Sequence, residues 1–228
     1  MAIDKRVDDV TRALATVQDG ATVLISGFGG AGFPNVLIRA LREHGARALT
    51  LVVNSATHRF SYTHELIQAG LVDKVIASSG RGHDKSKLSA FEERLRDGRI
   101  EFECVPQGTM VERIRAGGAG IPAFYTPVAA GTALADGKET RELGGRTCVL
   151  EHAIHGDLAL VRADVADRYG NLVFRHAQAN FGPAMATCAA CTVAEVRSAQ
   201  AAPIAPRDIE LSGVFVNHVV AVGGPADA

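Results

Sequence analysis

Residues 23–34 read VLISGFGGAGFP, and within them Gly27-Phe28-Gly29-Gly30-Ala31-Gly32 fits the spacing G-x-G-x-x-G. Glycines at a strand-to-helix turn let backbone N–H groups approach an anion or a developing oxyanion, because no β-carbon stands in the way. Phosphates, carboxylates and thioester carbonyl oxygens all qualify as ligands, and a tight turn without a ligand is the alternative. The same spacing belongs to a dinucleotide-binding fingerprint. That site also needs a carboxylate about 20 residues on, at the end of the second strand, to hold the ribose. Here the second strand, Leu49 to Val53, runs into Asn54-Ser55-Ala56-Thr57. Phe33-Pro34 also separates the last glycine from the helix. A nicotinamide enzyme therefore fails both tests of context.

Other chemistries find less support. Cys104, Cys148, Cys188 and Cys191 supply one C-x-x-C, with neither a second pair nor a histidine cluster at finger spacing to complete a zinc site. Set among small residues, Cys188 and Cys191 are expected to be reduced, compact filler. His58, His64, His83, His152, His155 and His176 are scattered, without an H-x-x-x-H pair, and no serine sits in a nucleophile elbow. No metal is expected.

The elements that position the glycine run follow from hydrophobic spacing. Val7, Val10, Leu14 and Val17 form a helical stripe over residues 4–18, ended by Asp19-Gly20. Ala21 to Ile25 is an apolar strand, and Pro34 opens a helix that Gly45 closes. Strands at Leu49–Val53, Lys74–Ala77 and Ile100–Val105 then alternate with helices at His64–Ala69, Lys87–Arg96 and Thr109–Arg115. After Gly117 the rhythm changes to a loop-rich passage. Strands near Thr147–Leu150, Asp157–Arg162, Leu172–Phe174 and Thr192–Val196 follow without clear helices between them. The expected fold is α/β: a doubly wound, mostly parallel open sheet with an additional strand- and loop-rich layer in the C-terminal half, in a single domain over residues 1–228.

The balance of 24 Lys+Arg against 25 Asp+Glu leaves no global field to attract nucleic acid or an anionic membrane. The first residues alternate charge with apolar side chains and lack the h-region of a signal peptide, so a cytoplasmic protein is expected. Residues 21–38, 116–135 and 177–194 carry no formal charge, but Gly, Pro, Asn or Gln interrupts each. They read as buried or ligand-lining segments, not membrane spans.

Asp19-Gly20 through Ser26-Gly27-Phe28-Gly29-Gly30-Ala31-Gly32-Phe33-Pro34 resembles the N-terminal pattern of family I coenzyme A transferases, with Ser26 in place of a glycine. Val105-Pro106-Gln107-Gly108-Thr109, Glu112 to Thr126, Gly137-Lys138-Glu139-Thr140-Arg141-Glu142, Val149-Leu150-Glu151 and Ala166 to Leu172 continue the likeness in order, from about residue 4 to residue 220. Of the two subunit types in that family, the chain resembles the alpha subunit. The resemblance implies transfer of CoA from an acyl-CoA to a free acid by a ping-pong route. A glutamate attacks the thioester, an anhydride forms, and CoA returns as a glutamyl-CoA thioester, in a dry pocket with donors aimed at the oxyanion.

In that family the nucleophile sits in a Ser-Glu-Asn-Gly motif on the beta subunit, and no such motif occurs here. Glu139, Glu151 and Glu195 lack its context, so the resemblance implies half of a composite site and a beta-subunit partner, in an α2β2 assembly. It implies no permanently bound cofactor; CoA thioesters are substrates. By motif position, Ile25, Ser26, Gly27, Phe28, Gly29, Gly30, Ala31 and Gly32 line the CoA or acyl oxygen, and Gln107 donates its amide to the oxyanion. Asn54 matches the first Asn of an Asn-Asn pair, Ser55 replaces the second, and Gly118 and Gly120 shape the wall. Arg81, Lys85 and Lys87 are candidates for the CoA phosphates. Two departures bear on substrate choice: Gln178-Ala179 before Asn180-Phe181, where the family has Ala-Arg, and Glu210-Leu211-Ser212-Gly213, where it has a His-Thr-Pro-Gly-like turn. Within the family the wording is similar to subunits acting on 3-oxoadipate with succinyl-CoA as donor; acetoacetate and other short-chain acids are the close alternatives. A NAD-dependent oxidoreductase and a non-catalytic acyl-CoA-binding protein are the readings from other classes.

Overall fold

Short Val/Leu/Ile runs alternate with amphipathic segments through the first half of the chain, and the computed structural model, which describes residues 3–223, forms them into βα units. In chain order these are β1 (Arg6–Val7), α1 (Val10–Ala13), β2 (Thr22–Ile25), α2 (Asn35–His44), β3 (Leu49–Ser55) and α3 (Thr63–Gln68). β4 (Val72–Ser79), α4 (Ala90–Arg96), β5 (Glu101–Cys104) and α5 (Gln107–Gly118) follow. The second half comprises β6 (Ala123–Thr126), β7 (Thr140–Leu143), β8 (Arg146–His152), β9 (Gly156–Asp167), β10 (Leu172–Val173), α6 (Gly182–Cys188), β11 (Ala189–Gln200) and β12 (His218–Ala221).

One sheet runs in the order β1-β12-β11-β9-β2-β3-β4-β5, with every neighbouring pair parallel, and β10 adds to β9 antiparallel. Successive side chains on a strand face opposite layers. Val23, Ile25, Leu51, Val53 and Leu160 therefore pack with Leu37, Ile38 and Leu41 of α2 and Leu66 of α3. Leu24, Val52, Ala159 and Val161 pack on the other side with Met110 and Ile114 of α5 and Met185 of α6. Helices thus cover both faces, as a parallel sheet with near-continuous apolar strands requires. β6, β8 and β7 form a separate antiparallel sheet, which is the additional layer in the C-terminal half.

The strand order reverses at one place. From β2 the chain builds outward through β3, β4 and β5, whereas β9, β11 and β12 lie on its other side. In an open parallel sheet the crevice beyond the carboxyl ends of the strands at such a switch point is where ligands bind. The carboxyl end of β2 leads straight into Ser26–Gly32.

Three expectations are corrected. The stripe over residues 4–18 is not one helix. Asp9 accepts the Thr11 N–H at 2.8 Å and starts α1 only at Val10, while Arg6 and Val7 pair with Val219 and Val220 as an edge strand. α6 is a helix where sequence showed none, because its residues GPAMATC are too short and too small to display a stripe. Of the two expectations for residues 116–135, burial along the segment does not hold, since Ile121, Val128 and Leu134 are exposed, whereas lining a ligand site is compatible with that exposure. Among the described residues no helix is long and apolar enough to cross a membrane.

Candidate functional site

The turn after β2 is closed from inside. Ser26 Oγ donates to the Gly32 carbonyl at 2.7 Å and accepts the Arg162 N–H at 3.2 Å, tying the turn to itself and to β9. Asn180 clamps it from the other side: Oδ1 accepts the Gly27 N–H at 3.1 Å, and Nδ2 donates to the Ala31 carbonyl at 3.1 Å. Phe28 and Ala31 bond each other reciprocally at 3.0 Å, and the Ser26 N–H donates to the Leu160 carbonyl at 3.0 Å. The amides of Ser26, Gly27, Phe28 and Ala31 are therefore already used by the fold. The expectation that the whole run presents donors narrows to Gly29, Gly30 and Gly32, whose N–H groups have no partner among the described residues.

The glycines divide in the same way. A β-carbon on Gly27 would stand 2.1 Å from the Phe33 ring, and one on Gly32 would stand 2.6 Å from both Asn180 Nδ2 and the Gln178 carbonyl. Those two are needed for packing. Gly29, with φ +61°, has open space where its side chain would be, and together with Gly30 it forms the exposed tip.

Behind the turn, α2 begins against a buried carboxylate. Glu195 Oε2 on β11 accepts the N–H groups of Val36 at 2.9 Å and Leu37 at 3.0 Å, while Oε1 receives Arg162 Nη1 at 2.5 Å. Burial pushes the Glu195 carboxyl up, and the helix amides and Arg162 oppose that shift. In a dinucleotide fold the pyrophosphate occupies this helix N-terminus. Here the chain's own carboxylate fills it, which explains physically why the fingerprint does not make a nicotinamide site.

Gln107 and Asn54, far apart in sequence, meet beyond the carboxyl end of β4, Asn54 at the end of β3 and Gln107 just past β5. Gln107 is the first residue of α5, and its Nε2 donates to Asn54 Oδ1 at 2.7 Å. Ser78 Oγ at the end of β4 donates to the Asn54 carbonyl at 2.8 Å and approaches Asn54 Oδ1 at 3.2 Å. With its oxygen held twice, the Asn54 carboxamide is oriented. Its Nδ2 has no hydrogen-bond partner among the described residues, and Gln107 keeps a second amide hydrogen. Asn54, Ser55, Ile25, Ser26 and Gly27 line one narrow crevice, with Phe33 and His58 completing it. The arrangement can present several neutral N–H donors to an oxygen that gains negative charge, with no acidic side chain in its lining.

Gly118 and Gly120 do not join this cluster. They lie at the far end of the 12-residue α5, about 17 Å from Gln107 at the helical rise. A β-carbon on Gly118 would meet Thr187 Oγ1 at 2.4 Å, and one on Gly117 would stand 2.0 Å from the Ile154 carbonyl oxygen, so these glycines bring α5 close to its neighbours. Gly120 takes the left-handed conformation, φ +72°, just past the helix end.

The remaining candidates have structural partners. Glu151 pairs with Lys138 Nζ at 2.7 Å and with Arg113, and Glu139 accepts from Tyr125 and Arg141. The cysteines are free, and burial pushes the Cys188 thiol up to about 12. No group of three or more metal-ligating side chains occurs among the described residues. Sequence reasoning missed Asn180, Ser78 and the Glu195–Arg162 pair as parts of the site's frame. Each acts through a long-range bond that spacing along the chain does not announce.

Known proteins share this architecture. The family model described as Coenzyme A transferase matches residues 7–222. The chain is 44% identical over 225 residues to the alpha-type (A) chain of 3-oxoadipate CoA-transferase from Pseudomonas putida, covering 98% of this chain and 96% of that one. It is also 44% identical to the corresponding chain of succinyl-CoA:3-ketoacid coenzyme A transferase from Xanthomonas campestris pv. campestris (strain B100), covering 95% of this chain and 88% of the relative. The crystal structure of glutaconate coenzyme A-transferase from Acidaminococcus fermentans matches with a TM-score of 0.83 at 17% identity, over 96% of this chain and 76% of that one, a likeness of fold.

Proposed function

The chain belongs to the coenzyme A transferase family, and from that premise we propose that it is the alpha subunit of an enzyme moving CoA from succinyl-CoA to 3-oxoadipate. The observation that carries the reading is the Gln107–Asn54 pair, whose Asn54 shares a crevice with Ile25, Ser26 and Gly27 at the start of the glycine turn. Each half-reaction of thioester exchange through a carboxylate nucleophile passes twice through tetrahedral oxyanions, and the unengaged amides of this cluster are donors of the kind that stabilise them. Gln107 is the principal oxyanion donor, Asn54 the residue that orients and assists it, and the Gly29, Gly30 and Gly32 amides complete the cradle.

The nucleophile comes from elsewhere. Glu195 and Glu151, the buried glutamates among the described residues, are engaged by Arg162, Lys138 and the start of α2. A beta subunit carrying Ser-Glu-Asn-Gly supplies the attacking glutamate, in an α2β2 complex in the cytoplasm with no permanently bound cofactor. The names of the two relatives, at equal identity, support either 3-oxoadipate or another 3-oxo acid as acceptor.

The proposal is tested by co-expressing the chain with that beta subunit, then assaying CoA exchange between succinyl-CoA and a panel of 3-oxo acids. Exchange with 3-oxoadipate is expected. Binding of acyl-CoA without exchange to any acid would leave a non-catalytic binding protein instead. In the active complex Gln107→Ala should slow turnover by about tenfold to a thousandfold, and unchanged turnover would remove Gln107 from the site.

A further inference from the structure

Beyond the crevice, the loops after β3 and β4 enclose a cavity of about 300 Å³. Its walls carry His58, Arg59, His64 and His83 over a floor that includes Ile67 and Phe91, and no Asp or Glu lines it. Arg59 lies over the Phe60 ring at 4.4 Å and makes no ion pair among the described residues. The Phe60 N–H donates to His58 Nδ1 at 3.2 Å, which leaves the proton of a neutral His58 on Nε2. Burial and the neighbouring Arg59 hold His58 below its ordinary value, favouring that neutral form.

The cavity adjoins the candidate site. His58 lines both the cavity and the crevice, and its ring stacks 4.6 Å from Phe33 at the end of the glycine turn. A β-carbon on Gly30 would stand 3.3 Å from the Phe60 ring, so Arg59's aromatic platform adjoins the turn tip. A ligand in the cavity therefore meets apolar side chains, a guanidinium without an ion-pair partner among the described residues and an imidazole N–H, in a lining free of competing carboxylates. Guanidinium recognises a carboxylate by two parallel charge-assisted bonds.

We propose that this cavity receives the distal carboxylate of a dicarboxylic acyl group, with Arg59 as its counter-charge, so that Arg59 selects dicarboxylic over monocarboxylic acids. The proposal rests on the transferase reading and deepens it. The methylenes of the acyl chain lie against the floor, while the carboxyl that exchanges CoA remains beside Gln107 and Asn54.

The test compares two acceptors of equal chain length, 3-oxoadipate and 3-oxohexanoate, in the complex with the beta subunit. In a ping-pong reaction the acceptor's kcat/KM reports only the half-reaction in which that acid binds, so the donor does not enter. Arg59→Gln should lower kcat/KM for 3-oxoadipate about tenfold to a hundredfold, with 3-oxohexanoate held within about twofold, and Arg59→Lys should restore part of the loss. An equal fall for both acids, as contact with the phosphates of CoA would give, overturns the proposal, and so does no fall for either. A wild-type complex that transfers CoA to no acid of the 3-oxo panel overturns the transferase reading, and this proposal with it; one that transfers it to shorter 3-oxo acids but to neither of these two overturns this proposal alone.

Discussion

The chain has two glycine-rich stretches, residues 27–32 and 117–120, and sequence alone assigns both to one pocket. The fold uses them for different ends. In the first, the flanking Gly27 and Gly32 make room for Phe33 and Asn180, which leaves Gly29 and Gly30 exposed at the switch point with unengaged amides. In the second, Gly117 and Gly118 make room for Ile154 and Thr187 at the opposite end of α5 from Gln107. What separates a ligand-facing glycine from a packing glycine is whether its missing side chain faces open space or neighbouring atoms.

The largest effect is expected from behind the first stretch. Glu195→Ala removes the buried carboxylate that caps α2 and breaks its ion pair with the buried Arg162 at 2.5 Å, which should cost about 3–5 kcal/mol in denaturant unfolding. A loss below about 1 kcal/mol would mean that the turn is held by Ser26 and Asn180 alone.

A smaller loss is expected in the second stretch. Gly117→Ala drives a β-carbon against the Ile154 carbonyl oxygen, backbone that cannot swing aside, and should cost about 1–3 kcal/mol. CoA exchange per folded complex should stay close to wild type, because the substitution lies a helix length from Gln107. Lost exchange at full stability would return residues 117–120 to the pocket.

The βα half of the sheet was legible because its strands are continuous apolar runs punctuated by glycine and proline, and Gln107 and Asn54 were legible through motif resemblance. Their hydrogen bond was not, since it joins the end of β3 to the start of α5 across the intervening strands. The Glu195 cap on α2 was hidden for the same reason: an isolated glutamate in a strand gives no sign of the helix it faces. β6 and β7 escaped notice because these four-residue strands, half-buried in β6 and exposed in β7, carry no alternation, and α6 because small residues leave no stripe. The departure before Asn180, where the family has an arginine, draws attention to substrate choice and not to Asn180. The structure instead gives the clamping role there to Asn180 itself, bonded to both strands of the turn.

Gly29→Ala sharpens the comparison most, because its effect on stability is the smallest. The added methyl meets nothing within 4 Å, so the only structural cost is holding alanine at φ +61°, about 1–2 kcal/mol. The N–H itself survives the substitution. If the tip amides cradle a thioester oxygen, however, the methyl projects from the same exposed tip and obstructs the close approach that glycine permits. Exchange should therefore fall well beyond what the lost folded fraction explains, with Gly117→Ala showing the reverse. Measuring unfolding midpoint and CoA exchange on both variants in the same complex separates the two uses of glycine. Full exchange by Gly29→Ala would show that the tip faces solvent in the assembled enzyme and that the donors are Gln107 and Asn54 alone.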